Sequence, residues 1–213
     1  MQSPVNSTRS QFTKPIRILG FAGSLRRKSY NKLLLRAASK LLPESTQLEV
    51  VDIDGIPLYN QDTEMLGIPE IVKRFKEKIE CADAVLIATP EYNHSYPGVL
   101  KNAIDWASRP YGHNSFDGKS VAVMSAATGM FGAVAAQDQL KQVLLALNMC
   151  LVAQPAVIVT SAQHKFDLDN ELTDPDTKHF MKQLLANLVD LTRKLSQSEE
   201  PLLVATVPAY YEA

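Results

Sequence analysis

The chain predicts a doubly wound α/β fold, a parallel sheet with helices on both faces. Three observations carry that reading. Short apolar runs alternate with segments of helical periodicity, as parallel strands joined by crossover helices require. One run, Ala84-Val-Leu-Ile-Ala-Thr89, shows no polar alternation and reads as a strand buried on both faces. Directly after it comes Pro90-Glu-Tyr-Asn-His-Ser-Tyr-Pro97, far more polar and aromatic chemistry than a connection needs. Open α/β sheets bind ligands at such carboxyl-end loops.

The first strand is expected over residues 16–23 (IRILGFAG), whose small final residues let a ligand approach the backbone. Ser29 is placed to cap a helix through about Leu42, with Leu33, Leu34, Ala37, Ala38 and Leu41 at helical spacing. Residues 48–53 read as the second strand and 56–60 as a loop. Pro69 opens a helix ending near Cys81. After the buried strand at 84–89, Pro97 suits the first turn of a helix reaching Ser108, because the N–H it lacks would be unpaired there. That helix carries an apolar stripe of Val99, Leu100, Ala103, Ile104 and Ala107, with Lys101, Asn102, Asp105 and Ser108 opposite.

Residues 120–125 form the fourth strand, Gly129 and Gly132 punctuate the following turn, and a helix of poorer periodicity runs over 133–147. Residues 151–159 supply a fifth strand that Pro155 interrupts and so places at an edge. A last helix over 176–195 puts Phe180, Leu184, Leu188, Leu191 and Leu195 on one side. The domain is thus expected at 16–195, between a flexible polar arm at 1–15 and a C-terminal extension at 196–213. That extension has no obvious place in the fold and is available to a neighbouring subunit.

Composition bounds the rest. A chain of 213 residues, 46% hydrophobic, is long enough for one sizeable core. A formal net charge of −1 argues against nucleic acid or another polyanion as partner. Cys81 and Cys150 make neither a disulfide framework nor a metal-ligand spacing, which fits a reducing cytoplasm. The longest apolar run, 143–153, is broken by Asn148 and falls short of the ~20 residues of a membrane span. The first fourteen residues, MQSPVNSTRSQFTK, lack the hydrophobic centre of a secretory signal.

Two constellations carry chemistry. The turn Gly23-Ser-Leu-Arg-Arg-Lys-Ser-Tyr-Asn31 joins two hydroxyls, an amide and three cations to a helix N-terminus, which favours an anion. Ser24, Arg26, Ser29 and Asn31 are spaced to ring a phosphate, although the turn is neither a Walker loop nor a GxGxxG turn. A capped helix with solvated basic residues is the alternative. The Pro90–Pro97 loop reads as the floor of a site for a flat ligand with polar edges, or else as a solvated turn. In a flavodoxin-like 2-1-3-4-5 order, strands one and three are neighbours at the topological switch point. A ligand with a phosphate at one end and a flat heterocycle at the other fits there, and FMN is the candidate.

The strings GSLRRKSYN and PEYNHSYPGVLKNAIDW, the Gly129/Gly132 loop, and KFDLDNELTDPD before the last helix resemble the NADPH-dependent FMN reductase family. Quinone, chromate and azo-dye reductases belong to it, and the likeness runs from about Ile16 to Leu195. It implies that Ser24, Arg26, Ser29 and Asn31 hold the FMN phosphate, with Leu25 in the same cofactor-binding turn. Pro90, Glu91, Tyr92 and Asn93 would lie along the isoalloxazine ring, and Ser125, Ala126, Ala127 and Gly129 would touch its other edge. Many members carry Gly-Gly where this chain has Gly132-Ala133. The implied activity passes a hydride from NADPH, or NADH, through bound FMN to a small acceptor such as a quinone, azo compound, metal oxyanion or free flavin. Flavin chemistry needs no catalytic side chain, and none is assigned; His94 and Tyr92 would shape acceptor access.

A flavodoxin-type electron carrier or a redox sensor on the same fold is the alternative. Such carriers are usually strongly acidic around the flavin, whereas this turn holds cations. Arg27 and Lys28, in excess of what one phosphate engages, are expected to give a modest preference for NADPH. Tyr96, Tyr111 and Phe116 flank the site loop without an evident intrachain cover, which together with the resemblance predicts a homodimer or homotetramer. No metal is expected: the four histidines share no ligand spacing, and Asp167, Asp169 and Glu171 begin like an EF-hand but continue with Leu172 where its Gly belongs.

Overall fold

A computed structural model describes residues 14–197. Strands β1 (Ile16–Ala22), β2 (Thr46–Val51), β3 (Ala84–Thr89), β4 (Ser120–Ala126), β5 (Cys150–Leu151) and β6 (Val157–Val159) alternate with six helices. These are α1 (Tyr30–Ser39), α2 (Gln61–Leu66), α3 (Glu70–Cys81), α4 (Gly98–Ala107), α5 (Val134–Ala146) and α6 (Pro175–Gln197). The sheet is parallel, in the order β2-β1-β3-β4-β5, with β6 also on β4. This is the flavodoxin-like order expected above.

The pleat explains why the central strands β3 and β4 carry no charged residue and are mostly apolar. Ala84, Leu86 and Ala88 of β3 join the core beneath α1 and α6, while Val85 and Ile87 join the core beneath α3, α4 and α5. In β4, Ala122, Met124 and Ala126 face the first core, and Val121 and Val123 the second. Both sides must therefore be apolar. Each large side chain so buried stabilises the fold by about 1.5–3 kcal/mol.

Several boundaries differ from expectation for identifiable reasons. The fifth strand is two pieces: β5 pairs with the start of β4, as in Ser120↔Cys150, and β6 with its end, as in Ala126↔Val159. Pro155 lies in the gap and has no N–H for a ladder. α2 escapes periodicity because it buries no residue; Asn60 capping Asp62 N at 2.8 Å and Gly67 at its end define it. α1 stops at Ser39 rather than near Leu42.

The last helix begins at Pro175, earlier than periodicity suggested, because Asp174 accepts from the N–H and hydroxyl of Thr177 at 2.9 and 2.6 Å. Lys165 also pairs with Asp174. The Lys165 hydrogen bond, then those of Thr177, hold the Asp174 carboxyl down at about 2, so the cap stays charged into strong acid. The buried face of α6 is Met181, Leu184, Leu185, Leu188 and Val189, and Phe180 is nearly half exposed. Helix α6 continues through Ser196 and Gln197. The N-terminal arm to residue 13 and the extension from 198 lie outside the described residues.

The acidic run at 167–171 is a structural staple. Asp167 Oδ1 accepts from the backbone of Asp169 and Glu171, while Arg36 and Lys40 each bond Glu171 at 2.5 Å, tying the turn to α1. Among the described residues no three His, Cys, Asp or Glu side chains gather where they could hold a metal ion, and no helix is long and apolar enough to cross a membrane.

Candidate cofactor site at the carboxyl ends of the strands

Three loops meet above β1, β3 and β4. They frame an open cleft of about 120 Å³ lined by Ser24, Arg26, Ser29, Tyr30, Asn31, Pro90, Glu91, Tyr92, Ala126, Ala127 and Thr128. The first loop leaves β1 through Gly23, whose N–H donates to Ala88 O at 2.9 Å. A Cβ there would meet Leu100 Cδ2 at 3.0 Å and Pro90 Cδ at 3.4 Å, so glycine lets this loop press against the β3 loop. Ser24 and Ser29 are buried, while Arg26, Arg27 and Lys28 are exposed and pair with no carboxylate among the described residues.

Helix α1 opens toward this cleft with its first-turn N–H groups unclaimed by a cap. Ser29 sits at the cap position with extended backbone, yet its side chain makes no capping bond. The expected cap is therefore one of position only. Free N–H groups, a helix dipole, two hydroxyls and Arg26 around one pocket are the donor set a phosphate monoester requires.

Asn31 is used differently from expectation. Its Nδ2 donates to Ala126 O and its Oδ1 accepts from Ala126 N, both at 2.9 Å, with the side chain 2% exposed. The amide ties the start of α1 to the end of β4, leaving one N–H of Nδ2 for any ligand.

The second loop turns back on itself. Tyr92 N donates to Ser95 O at 2.8 Å and Ser95 N to Tyr92 O at 3.1 Å, with Asn93 and His94 at φ 53° and 61° between them. Two left-handed residues make a tight two-residue hairpin. It turns Asn93 outward, away from the cleft lining, and leaves the His94 side chain 89% exposed. Tyr92 stands half exposed at the rim.

In the third loop Ala126, Ala127 and Thr128 line the cleft, but Ser125 and Gly129 do not. Ser125 is fully buried: its Oγ donates to Gly132 O at 2.5 Å and accepts from Gln137 Nε2 at 2.8 Å. It braces the turn from beneath. Gly129 O accepts from Ser161 N at 3.1 Å, and Leu25 points outward, 42% exposed. Tyr30 and Thr128 line the cleft unforeseen. Tyr30 packs on Phe166 at 5.5 Å between ring centroids, a contact across the fold with no local signal.

The aromatics expected at a subunit interface divide. Phe116 is fully buried in the α3/α4/α5 core and Tyr96 packs partly against it, so both have intrachain cover; Tyr111 remains exposed.

Comparison with known proteins agrees with this geometry. The family model for NADPH-dependent FMN reductase matches residues 16–164. An NAD(P)H-dependent FMN reductase of Pseudomonas aeruginosa is 47% identical over 180 residues, covering 84% of this chain and 97% of that protein. An NAD(P)H:quinone oxidoreductase of Solanum tuberosum is 42% identical over 186 residues, covering 84% and 94%. Among solved structures, the flavoenzyme NAD(P)H:(acceptor) oxidoreductase FerB of Paracoccus denitrificans superposes with a TM-score of 0.78 at 38% identity, covering 84% of this chain and 98% of that one. Together with the phosphate-suited turn beside the cleft, these matches establish that the chain belongs to the NADPH-dependent FMN reductase family.

Proposed function

We propose that this NAD(P)H-dependent, FMN-using oxidoreductase passes its electrons to quinones. The observation that carries the site reading is the uncapped N-terminus of α1, with the Ser29 hydroxyl free of any capping bond inside the cleft. Ser24, Arg26, Ser29 and the first-turn N–H groups would hold the phosphate. Pro90, Glu91 and Tyr92 on one side and Ala126, Ala127 and Thr128 on the other would flank the ring, which supplies the hydride chemistry when bound. The quinone assignment draws on the relative named a quinone oxidoreductase, and on the open, Tyr92-rimmed cleft, which suits a flat aromatic acceptor.

One set of measurements tests this. The purified protein is expected to be yellow, to release FMN rather than FAD on denaturation, and to oxidise NADPH faster when a benzoquinone is added. Titrated into apoprotein, FMN should bind Ser29→Ala roughly tenfold more weakly, the value of one hydrogen bond to a charged group. Released FAD, or unchanged affinity in the variant, would defeat the site assignment. Bound FMN without NADPH turnover would favour an electron carrier or sensor.

We also propose a homo-oligomer in the cytoplasm. Leu58, Met65, Leu66 and Tyr111, each at least 80% exposed, are an apolar set that a second copy would cover, and both cysteines are free thiols. Light scattering should give a mass well above the 23.5 kDa of one chain, and a monomer mass at micromolar concentration would reject the oligomer. Fractionation of the native host would check the compartment.

A further inference from the structure

We propose that Glu91 is a positioning residue: from the loop after β3, its carboxylate supplies the N-terminal cap that α5 lacks. It thereby fixes the spacing between two walls of the cleft. Helix α5 has no cap of its own. Its cap position is Ala133, with φ 69° and no side-chain oxygen, and its first turn carries no acidic residue. A helix start leaves N–H groups that need partners. Glu91 Oε2 accepts from Ala136 N, the third residue of α5, at 3.1 Å across 45 residues of sequence.

The position suits a carboxylate, because the helix N-terminus is partially positive. The Glu91 side chain is 16% exposed, so water replaces this bond poorly. One turn further along α5, Gln139 reaches the same loop: its Nε2 donates to His94 O and its Oε1 accepts from Ser95 Oγ, both at 2.7 Å. The hairpin beside the cleft is therefore fastened to α5 at two levels. Helix α5 in turn begins at the end of the turn that carries Ala126, Ala127 and Thr128. Moving its first turn would move that wall. The inference rests on the reading of this cleft as the cofactor site. It assigns Glu91 a role that the ring-contact reading does not: a carboxylate directed at a helix N-terminus also repels an anionic cofactor less than a free one.

The test compares wild type with Glu91→Ala and Glu91→Gln, since a Gln amide oxygen can accept the same N–H. In apoprotein, hydrogen exchange at the Ala136 amide should accelerate roughly tenfold in the Ala variant, within the worth of a cap, and stay near wild type in the Gln variant. The FMN dissociation constant should rise roughly tenfold in Glu91→Ala and recover to within about threefold in Glu91→Gln. Unchanged Ala136 exchange in the Ala variant would overturn the cap, and Gln binding FMN as poorly as Ala would mean that charge, not positioning, is what matters. Should Glu91→Ala not fold, accelerated Ala136 exchange in Glu91→Gln would overturn the proposal and unchanged exchange support it. A wild-type apoprotein that takes up no FMN would strike the cofactor reading instead, while Ala136 exchange would still decide the cap.

Discussion

Replacing Lys76 with Met should lower the free energy of unfolding by about 3 kcal/mol while leaving FMN affinity unchanged. Lys76 stands on α3 with 8% of its surface exposed. Its Nζ donates to Ala107 O at 3.0 Å, Arg109 O at 2.6 Å and His113 O at 2.9 Å, gathering the end of α4 and the chain beyond it onto one ammonium. Burial pushes the Lys76 pKa down, with Glu80 and then Glu64 pulling it back up. The wild type therefore already carries a desolvation cost that Met would remove. Against that gain, Met leaves three carbonyls without their donor, each costing about 1–3 kcal/mol if buried. The Arg109 and His113 carbonyls lie in part-buried contacts that water can reach, which limits the sum. In a domain of this size such a loss lowers Tm by roughly 6–12 °C. Helix α4 begins at the site loop and Lys76 grips its far end, about 15 Å away by helical rise, so the cleft should be indifferent. Urea unfolding followed by circular dichroism, with an FMN titration beside it, decides the matter. A stability change under about 0.5 kcal/mol would mean that water serves those carbonyls equally well.

What could be read from the chain follows a physical divide. The apolar run predicts a strand at 84–89 and β3 stands at Ala84–Thr89, because a strand buried on both faces leaves a continuous signature. The alternation of strands and helices implies the parallel sheet with helices on both faces, whereas its 2-1-3-4-5 order rests on the flavodoxin-like arrangement that brings the three loops together. The short helix α2 escapes the alternation, and the start of α6 lies one residue before the periodic pattern begins. Asn60 and Asp174-Pro175 were visible signals for the starts of α2 and α6, but periodicity alone does not register them. Within the site, residue types pointed to the right loops more reliably than to roles. Asn31 bonds Ala126 across 95 residues and Glu91 bonds Ala136 across 45, and no local pattern announces such partners. Phe116 shows the same limit: within the Pro- and Gly-rich stretch at 109–118 it reads as exposed, yet it is wholly buried in the α3/α4/α5 core.

Gly132→Ala should damage both fold and cofactor binding, with a loss of about 3–4 kcal/mol. Gly132 adopts φ 60°, which costs a residue with a Cβ about 1–2 kcal/mol. The added Cβ would also lie 2.4 Å from Ile158 Cγ2, 3.1 Å from Thr160 Cγ2 and 3.3 Å from the Val159 carbonyl carbon. Ile158 and Val159 belong to β6, paired to the end of β4, so relief requires a shift of that strand, at about 1–3 kcal/mol for overpacking. Such a shift also threatens the bond from Ser125 Oγ to Gly132 O, and with it the brace beneath Ala126, Ala127 and Thr128. FMN affinity should therefore fall along with stability. The neighbouring position provides the contrast. Ala133 is also left-handed, at φ 69°, but its methyl is 2% exposed and accommodated. Ala133→Gly would relieve about 1 kcal/mol of backbone strain and forfeit about 0.8 kcal/mol of buried methyl, a near-neutral exchange. Denaturant unfolding and FMN titration of the two variants together separate contact from conformation. Equal and small effects at both positions would show that the Ile158 contact relaxes without cost.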